Sequence, residues 1–339
     1  MNAVPVTTLD ADQSRAKLET LQVLVHDELA AVNRVILARM QSRVHLIPEL
    51  ARHLIAAGGK RVRPMLTLVA AKLCGYRGQR HIDLAACVEF IHTATLLHDD
   101  VVDESDLRRG ADTANALWGN KAPVLVGDFL FSRAFQLMVA DGDLKVLSIL
   151  SNASAVIAEG EVAQLLTAND STTTDAAYME MITAKTATLF EAATRIGPVI
   201  AGLSEDHERA LARYGRSLGI AFQLVDDALD YQAEQKALGK TVGDDFADGK
   251  VTLPVVLAYA RGTERERGFW RRVIEQREQR EGDLDYATQL LARYGTIRDT
   301  IRRAESFGDE ARTALASFGD CAEKRAMIEL VDFCIERAY

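Results

Sequence analysis

Three aspartates in one short stretch carry the clearest chemical signal in the sequence. Asp99, Asp100 and Asp103 occur in IHTATLLHDDVVDESDLRRG. Asp99 and Asp103 are four residues apart, so on a helix both side chains project from one face. Carboxylates gathered on one face repel each other unless a cation neutralises them. Magnesium prefers oxygen ligands and usually completes its shell with substrate phosphates, so the spacing predicts a magnesium-bridged diphosphate.

The same pattern returns in FQLVDDALD, where Asp226, Asp227 and Asp230 follow another apolar run. A single Asp-Asp-x-x-Asp pattern could equally be a solvated acidic helix end. The segment before the first cluster, residues 90–97, is almost uncharged, which indicates a buried helix. Two such clusters, each emerging from an apolar segment, favour a site in which several divalent ions surround one diphosphate.

Basic residues suited to an anion stand at two places in the chain. GGKRVRP puts Lys60 and Arg63 beside a glycine turn and a proline that favours the first turn of a helix. Arg108 and Arg109 follow the first aspartate cluster, and guanidinium groups make planar, multidentate contacts with phosphate oxygens. Each segment alone could be an ordinary surface turn.

Further polar residues align with the aspartates by helical spacing. His92 lies two turns before Asp99, and Gln223 lies one turn before Asp226. Lys185 and Thr186 interrupt the small-residue segment TAKTATLFEAA. Two further lysines, Lys240 and Lys250, belong to the loop GKTVGDDFADGK, which is either a lid over a charged site or an ordinary connection.

These residues need a helical scaffold, and the apolar periodicity predicts one. Alternating strand patterns are absent, and only 6 prolines occur in 339 residues. We expect a single all-α domain over residues 1–339, with about the first 10 residues disordered. The predicted helices cover residues 14–40, 47–57, 64 onward, 82–103, 124–139, 144–166, 175–196, 205–231, 254–259, 286–307 and 323–336.

The composition excludes several classes of protein. The formal charge of −9 argues against nucleic acid as a partner. The four cysteines show no zinc or disulfide spacing, which suits a reducing cytoplasm. The N-terminus does not resemble a signal peptide, and no uncharged apolar run reaches membrane-spanning length. We therefore expect a cytoplasmic protein without a membrane span, and leave peripheral membrane contact open.

The motifs together closely resemble the trans-isoprenyl diphosphate synthases, specifically the bacterial long-chain branch that makes octaprenyl, nonaprenyl or decaprenyl diphosphate. The resemblance covers the chain from about residue 47 to its end. It rests on GGKRVRP, IHTATLLHDDVVDESDLRRG, AKTATLFEAA, FQLVDDALDY and GKTVGDDFADGKVTLP, in the family's order. It implies helices around a central cavity, a homodimer, two to three Mg²⁺ ions per site, and extension of an allylic diphosphate by isopentenyl diphosphate.

The resemblance also implies roles for individual residues. Asp99, Asp103, Asp226 and Asp230 would bind magnesium, and Asp100, Asp227 and Lys185 would complete the catalytic set. Lys60, Arg63, His92 and Arg109 would bind isopentenyl diphosphate. The allylic diphosphate would contact Arg108, Lys185, Thr186, Gln223, Lys240 and Lys250.

Product length is predicted from the residues just before the first aspartate cluster. Short-chain relatives place aromatic residues at the positions of Ala94 and Thr95, where they close the floor of the cavity. Both residues are small here, so we expect a tunnel that continues along the helix past Ile91, Val88 and Cys87. Val88 to Asp99 spans about 16 Å of helix. The prediction is a C40–C50 product, made from farnesyl diphosphate, for a quinone side chain.

Three alternatives have distinguishable consequences. A terpene cyclase would share the first aspartate motif, but would have no use for a second diphosphate pocket. A non-catalytic partner subunit of a heteromeric synthase would be free to lose aspartates that are all present here. A helical calcium-binding protein is a third alternative, but the aspartate spacing does not match an EF-hand loop.

Overall fold

The structure, a computed structural model, describes residues 17–56, 59–108, 111–232 and 243–337. These residues form a helical protein, as predicted. Residues 17–24 are helical, and the elements that follow are α1 (His26–Arg39), α2 (Leu46–Ala56), α3 (Val62–Leu73), α4 (Arg80–Val102), β1 (Leu107–Arg108), β2 (Ala111–Asp112), α5 (Ala114–Trp118), α6 (Lys121–Asp141), α7 (Leu144–Thr167), α8 (Asp175–Ile182), a π-helical turn (Thr183–Ala187) and α9 (Thr188–Ile200).

The remaining elements complete the second half of the fold. They are α10 (Glu205–Leu229), α11 (Asp244–Ala247), α12 (Leu253–Arg261), α13 (Glu264–Trp270), a second π-helical turn (Arg271–Glu275), α14 (Asp283–Tyr294), α15 (Thr296–Ala314), a 3₁₀ turn (Leu315–Ser317) and α16 (Ala322–Glu336). Helix α4 packs against α6 and α3, while α9 packs against α10, α3 and α7, and α10 against α15. The helices that carry the two aspartate clusters are therefore both central.

Local sequence explains where several helices begin. Asp143 accepts hydrogen bonds from the backbone N–H groups of Lys145 and Val146 at the start of α7. Thr174 accepts one from Ala177 N–H at the start of α8. Thr263 and Glu266 form a reciprocal capping box at the start of α13.

The structure corrects some of the predicted elements. The single helix predicted over 286–307 is wrong, because Gly295 adopts φ 63° and separates α14 from α15. The helix predicted over 175–196 contains the π-helical turn, which hydrophobic periodicity does not reveal. An antiparallel pair of two-residue strands, with Leu107 opposite Asp112 and Arg108 opposite Ala111, is too short to give an alternating pattern.

Two helices meet the length and composition expected of a membrane-crossing segment: Lys121–Asp141, and Leu144–Leu165 within α7. Helices that build the interior of a folded protein meet the same criterion, so it does not distinguish the two cases. Part of each helix is buried against the rest of the fold, and each also exposes large apolar side chains.

Candidate active site

One large cavity collects most of the residues singled out in the sequence. Its volume is about 1610 Å³. The predicted site residues on its wall are Lys60, Arg63, His92, Thr95, Asp99, Asp100, Asp103, Arg108, Lys185, Thr186, Gln223, Asp226, Asp227 and Lys250. The two aspartate clusters, more than 120 residues apart in sequence, thus share a single cavity. Arg109 and Lys240 lie outside the described residues.

In the first cluster, Asp99 lies beside an ammonium group that it shares with another carboxylate. Lys185 Nζ is 3.5 Å from Asp99 Oδ2 and donates a hydrogen bond of 2.8 Å to Glu161 Oε2. Burial raises the pKa of Asp99 above its usual range, and Lys185 opposes that rise. Burial lowers the pKa of Lys185, but Asp99 and Glu161 outweigh it, so the net shift is upward and the ammonium form is favoured.

Asp100 has a different environment from its neighbours. Only 4% of its side chain is exposed, and Arg108 Nε donates a hydrogen bond of 2.6 Å to its Oδ1. Burial raises the pKa of Asp100, while the Arg108 guanidinium acts in the opposite direction. Asp100 therefore anchors Arg108, which places the guanidinium on the cavity wall beside the other two aspartates.

Lys250 connects the first cluster to the opposite side of the cavity. Its Nζ is 3.9 Å from Asp103 Oδ2, 3.7 Å from Asp245 Oδ1 and 2.9 Å from Asp248 Oδ2. Asp245 belongs to α11, which follows the second cluster in the chain. Burial raises the pKa of Asp245, and Lys250 opposes the shift. The loop residue Lys250 is thus a cation held between carboxylates from both halves of the site.

In the second cluster, Asp226 is the carboxylate most open to the cavity. Its side chain is 41% exposed, and Arg337 Nη2 lies 3.0 Å from its Oδ1. The Arg337 guanidinium also lies over the rings of Phe222 and Phe333, at 4.6 Å and 5.7 Å from their centroids. The guanidinium of Arg337, which follows α16, is therefore one of the positive charges on the cavity wall.

Asp227 is buried and held by neutral groups. Tyr178 donates its hydroxyl hydrogen to Asp227 Oδ2, and Gln223 Nε2 donates to Oδ1 at 2.8 Å. Thr186 in turn donates to Gln223 Oε1 at 2.9 Å. Burial raises the pKa of Asp227 to about 7. This network ties α10 to α8 and to the π-helical turn.

Asp230 is not on the cavity wall. Its Oδ2 accepts a hydrogen bond of 3.1 Å from the backbone N–H of Asp245, at the start of α11. Burial, followed by the charge of Asp245, raises the pKa of Asp230 to about 7. The structure therefore places Asp230 beneath α11, where it supports Asp245, whereas Asp226 faces the cavity.

Two glycines allow α7 and α10 to pack closely against the π-helical turn. A Cβ atom at Gly160 of α7 would lie 2.9 Å from Ala184 Cβ, and one at Gly219 of α10 would lie 2.7 Å from Ala187 Cα. Real side chains do not pack that closely, so only glycine permits this approach. The first contact brings Glu161 to Lys185.

The basic end of the cavity is built from the turn before α3 and from α4. Arg63 Nη1 lies 3.1 Å from His92 Nε2, and its guanidinium stacks over the Phe190 ring at 4.4 Å. Lys60 Nζ lies 4.8 Å from the centroid of the Phe333 ring. Arg63 and His92 are therefore in direct contact, and Lys60 lies on the wall of the same cavity.

Sequence reasoning missed several residues at the site, and four charged ones stand out. They are Glu89, Glu161, Asp245 and Arg337. Of these four, only Asp245 had a usable signal, since it lies in the acidic loop GDDFADGK. A single charged residue on a helix, or at the end of a chain, has no neighbour in sequence that marks it as functional.

The two residues predicted to control product length differ in position. Thr95 lines the cavity and donates a hydrogen bond to His92 O at 2.7 Å. Ala94 is fully buried and is not on the cavity wall. Cys87, Val88 and Ile91 are also fully buried, so the interior side of α4 is filled rather than open.

A second cavity, of about 570 Å³, adjoins the first. The two cavities share the wall residues Val156, Glu180 and Ala184. The second cavity continues along the faces of α7 and α9 to Ile149 and Ala192, and Phe307 of α15 also borders it. Its wall combines apolar side chains with charged ones, among them Glu180, Glu191 and Arg195.

Known proteins are similar to this chain in both sequence and fold. Residues 44–291 match the family model described as polyprenyl synthetase. The octaprenyl diphosphate synthase of Escherichia coli (strain K12) is 47% identical over 320 residues, which is 94% of this chain and 99% of that protein.

Solved structures of polyprenyl synthases have the same fold as this chain. A decaprenyl diphosphate synthase from Rhodobacter capsulatus superposes with a TM-score of 0.91 at 52% identity, covering 95% of this chain and 99% of that one. A polyprenyl synthase from Caulobacter crescentus CB15, complexed with calcium and isoprenyl diphosphate, gives a TM-score of 0.91 at 51% identity, covering 95% and 98% of the two chains.

Proposed function

The chain belongs to the polyprenyl synthetase family and is a long-chain trans-prenyltransferase; from this premise we propose that it extends farnesyl diphosphate with isopentenyl diphosphate to a C40–C50 product. The observation that carries the proposal is the shared cavity, in which two aspartate clusters face a separate basic turn. Such a cavity can hold two diphosphates at once, one beside the aspartates and the other beside Lys60 and Arg63.

The donor set fits magnesium. Asp99, Asp103 and Asp226 offer carboxylate oxygens on one cavity, and Mg²⁺ is usually bound by one or two carboxylates together with substrate phosphates. Within the described ranges, no three acidic, histidine or cysteine side chains come close enough to hold a metal by themselves. When bound, two to three Mg²⁺ ions would neutralise charge that develops on the leaving diphosphate.

The protein's own residues bind and orient the substrates. Lys185, Arg108 and Lys250 lie where they can take phosphate oxygens of the allylic substrate, with Thr186 and Gln223 beside them. Lys60, Arg63 and His92 hold the isopentenyl diphosphate. The allylic C–O bond breaks, the isopentenyl double bond attacks the resulting carbocation, and a proton passes to the departed diphosphate. Exclusion of water protects the cation.

The growing chain requires apolar space below the aspartates. Because Ala94, Ile91 and Val88 are packed into the core, the continuation between Val156 and Ala184 into the second cavity is the better route for the tail. This differs from the tunnel along α4 expected from the sequence, although Thr95 still lines the upper end.

The exposed apolar faces of α6 and α7 favour a homodimer. Leu125, Val139, Leu144 and Val162 are 58–79% exposed on these two helices. Large exposed apolar patches mark interaction sites, and a second copy of the chain is the partner that we propose. Sedimentation of the purified protein tests this. We also propose a cytoplasmic location, with peripheral membrane contact at product release and a quinone as the final acceptor.

Product analysis tests the proposed function directly. The purified single chain, given Mg²⁺, farnesyl diphosphate and radiolabelled isopentenyl diphosphate, should make a C40–C50 prenyl diphosphate that is identified by mass after dephosphorylation. Chelation of the metal should abolish incorporation. A hydrocarbon released from farnesyl diphosphate alone would identify a terpene cyclase, and incorporation that required a second polypeptide would identify a subunit of a heteromeric enzyme.

A further inference from the structure

Arg61, between the two predicted diphosphate ligands Lys60 and Arg63, has an unusual backbone. It precedes the first turn of α3 with φ 50° and ψ 34°, in the left-handed region. A non-glycine residue in this conformation costs roughly 1–2 kcal/mol, so contacts elsewhere must stabilise it. The conformation sets the direction of the turn and hence the positions of its neighbours' side chains.

The stabilising contact comes from Glu89 on α4. Arg61 Nη1 and Glu89 Oε1 form an ion pair in which 18% and 9% of the two side chains are exposed. Glu89 is thus a largely buried acid at the basic end of the cavity. Removal of one partner of a buried pair leaves the other charge uncompensated, so the pair is a strong constraint on local geometry.

The same face of α4 makes a second contact with this turn. His92 follows Glu89 by three residues, about one helical turn, and its Nε2 lies 3.1 Å from Arg63 Nη1. Arg63 is further fixed over the Phe190 ring. Two side chains of α4 therefore contact two arginines at the start of α3, namely Arg61 just before the helix and Arg63 in its first turn. These contacts connect the segment to the helix that carries Asp99.

We propose that Glu89 is a positioning residue for isopentenyl diphosphate: through its ion pair with Arg61 it holds the turn so that Lys60 and Arg63 point at the substrate. The inference rests on the proposed function, since it assumes that this turn binds the isopentenyl substrate. Glu89 itself does not need to touch the diphosphate, because like charges would repel.

The direction in which Glu89→Gln changes the KM for isopentenyl diphosphate distinguishes a positioning role from simple charge repulsion of the substrate. If Glu89 were only a negative charge near an anion site, Glu89→Gln would remove repulsion and lower the KM for isopentenyl diphosphate. If it positions the turn, the same substitution should raise that KM by about tenfold, because about tenfold in affinity is what the loss of one charge-assisted contact costs. We expect kcat and the KM for farnesyl diphosphate to change by less than about threefold, because the allylic site is built from other elements.

Further variants keep the test decisive if Glu89→Gln is unstable. Arg61→Gly tolerates the left-handed backbone but removes the guanidinium, so it should raise the isopentenyl KM to a similar extent without strain. In the double variant the two effects should be strongly non-additive, because they remove the same contact. Glu89→Asp, which keeps the charge, should recover part of the lost affinity.

The matched control is Asp283→Asn, which breaks a comparably buried pair with Arg272, 22% and 12% exposed, away from both cavities. It should leave both KM values unchanged. An unchanged or lowered isopentenyl KM in both Glu89→Gln and Arg61→Gly would overturn the inference, as would an equal rise in both substrates' KM. Wild-type protein that makes no prenyl product would instead refute the proposed function.

Discussion

The two aspartate clusters have the same spacing in sequence and different surroundings in the structure. In the first, Asp99 and Asp103 are each approached by a lysine, and Asp100 holds Arg108. In the second, Asp226 faces the cavity. Asp227, however, accepts hydrogen bonds from Tyr178 and Gln223, and Asp230 accepts one from the Asp245 backbone. A repeated motif therefore does not imply repeated roles, because the neighbouring elements decide which carboxylates remain available.

The largest expected effect concerns the first cluster. Asp99→Asn removes a carboxylate that lies on the cavity beside Lys185, and we expect kcat to fall by about 10²–10³-fold. Incorporation of radiolabelled isopentenyl diphosphate at saturating Mg²⁺ measures the loss. Asp309→Asn, at an exposed position, is the control and should retain full activity. Near-normal turnover by Asp99→Asn would remove the first cluster from the mechanism.

The second prediction compares two members of the second cluster. Asp226→Asn should lower kcat/KM by about 10²-fold, because this carboxylate is open to the cavity. Asp230→Asn keeps an acceptor for the Asp245 amide and should cost less than about tenfold. Steady-state kinetics over a range of Mg²⁺ concentrations distinguish them. Equal losses, each relieved by high Mg²⁺, would show that Asp230 binds metal after all, as the sequence predicts.

The third prediction concerns the tail of the product. Val156→Phe fills the junction between the two cavities and leaves every residue of the aspartate clusters unchanged, so we expect the product to shorten by one or more isoprene units. The overall rate should stay within about threefold. Mass analysis of the dephosphorylated products measures the length.

Ala94→Phe is the comparison, since the sequence predicts that it shortens the product. The structure predicts overpacking at this buried position, at about 1–3 kcal/mol. Shortening by Ala94→Phe with no change in Val156→Phe would place the tail along α4.

The smallest expected effect is a pH dependence of stability without metal. The pKa of Asp227 rises to about 7 on folding, from about 4 in the unfolded chain. The folded protein therefore binds this proton more tightly, and the stability it contributes is full at low pH and is lost as pH rises to about 7. Asp227→Asn should flatten that decline.

Thermal unfolding between pH 5 and 7.5 checks this prediction. The wild-type Tm should fall by roughly 2–4 °C more than that of the variant over the range. Parallel curves for the two proteins would show that Asp227 is ionised in the folded state throughout.

Much of the site was predictable because helical geometry is local. Asp99 and Asp103, or Gln223 and Asp226, must share a face whatever the rest of the chain does. The helical class followed from periodicity in the same way. The turn at Gly295 was missed because one glycine does not always end a helix, and the π-helical turn because its extra residue leaves no compositional mark.

The sequence by itself determined the all-helical class and most of the helical segments, and it predicted that the two aspartate clusters belong together. Only the tertiary structure decided that Asp226 is open while Asp230 supports Asp245, that Glu161 shares Lys185 with Asp99, and that Glu89 holds Arg61. These choices depend on which helices approach each other, and burial and charge pairing act between residues far apart in the chain, where spacing carries no information.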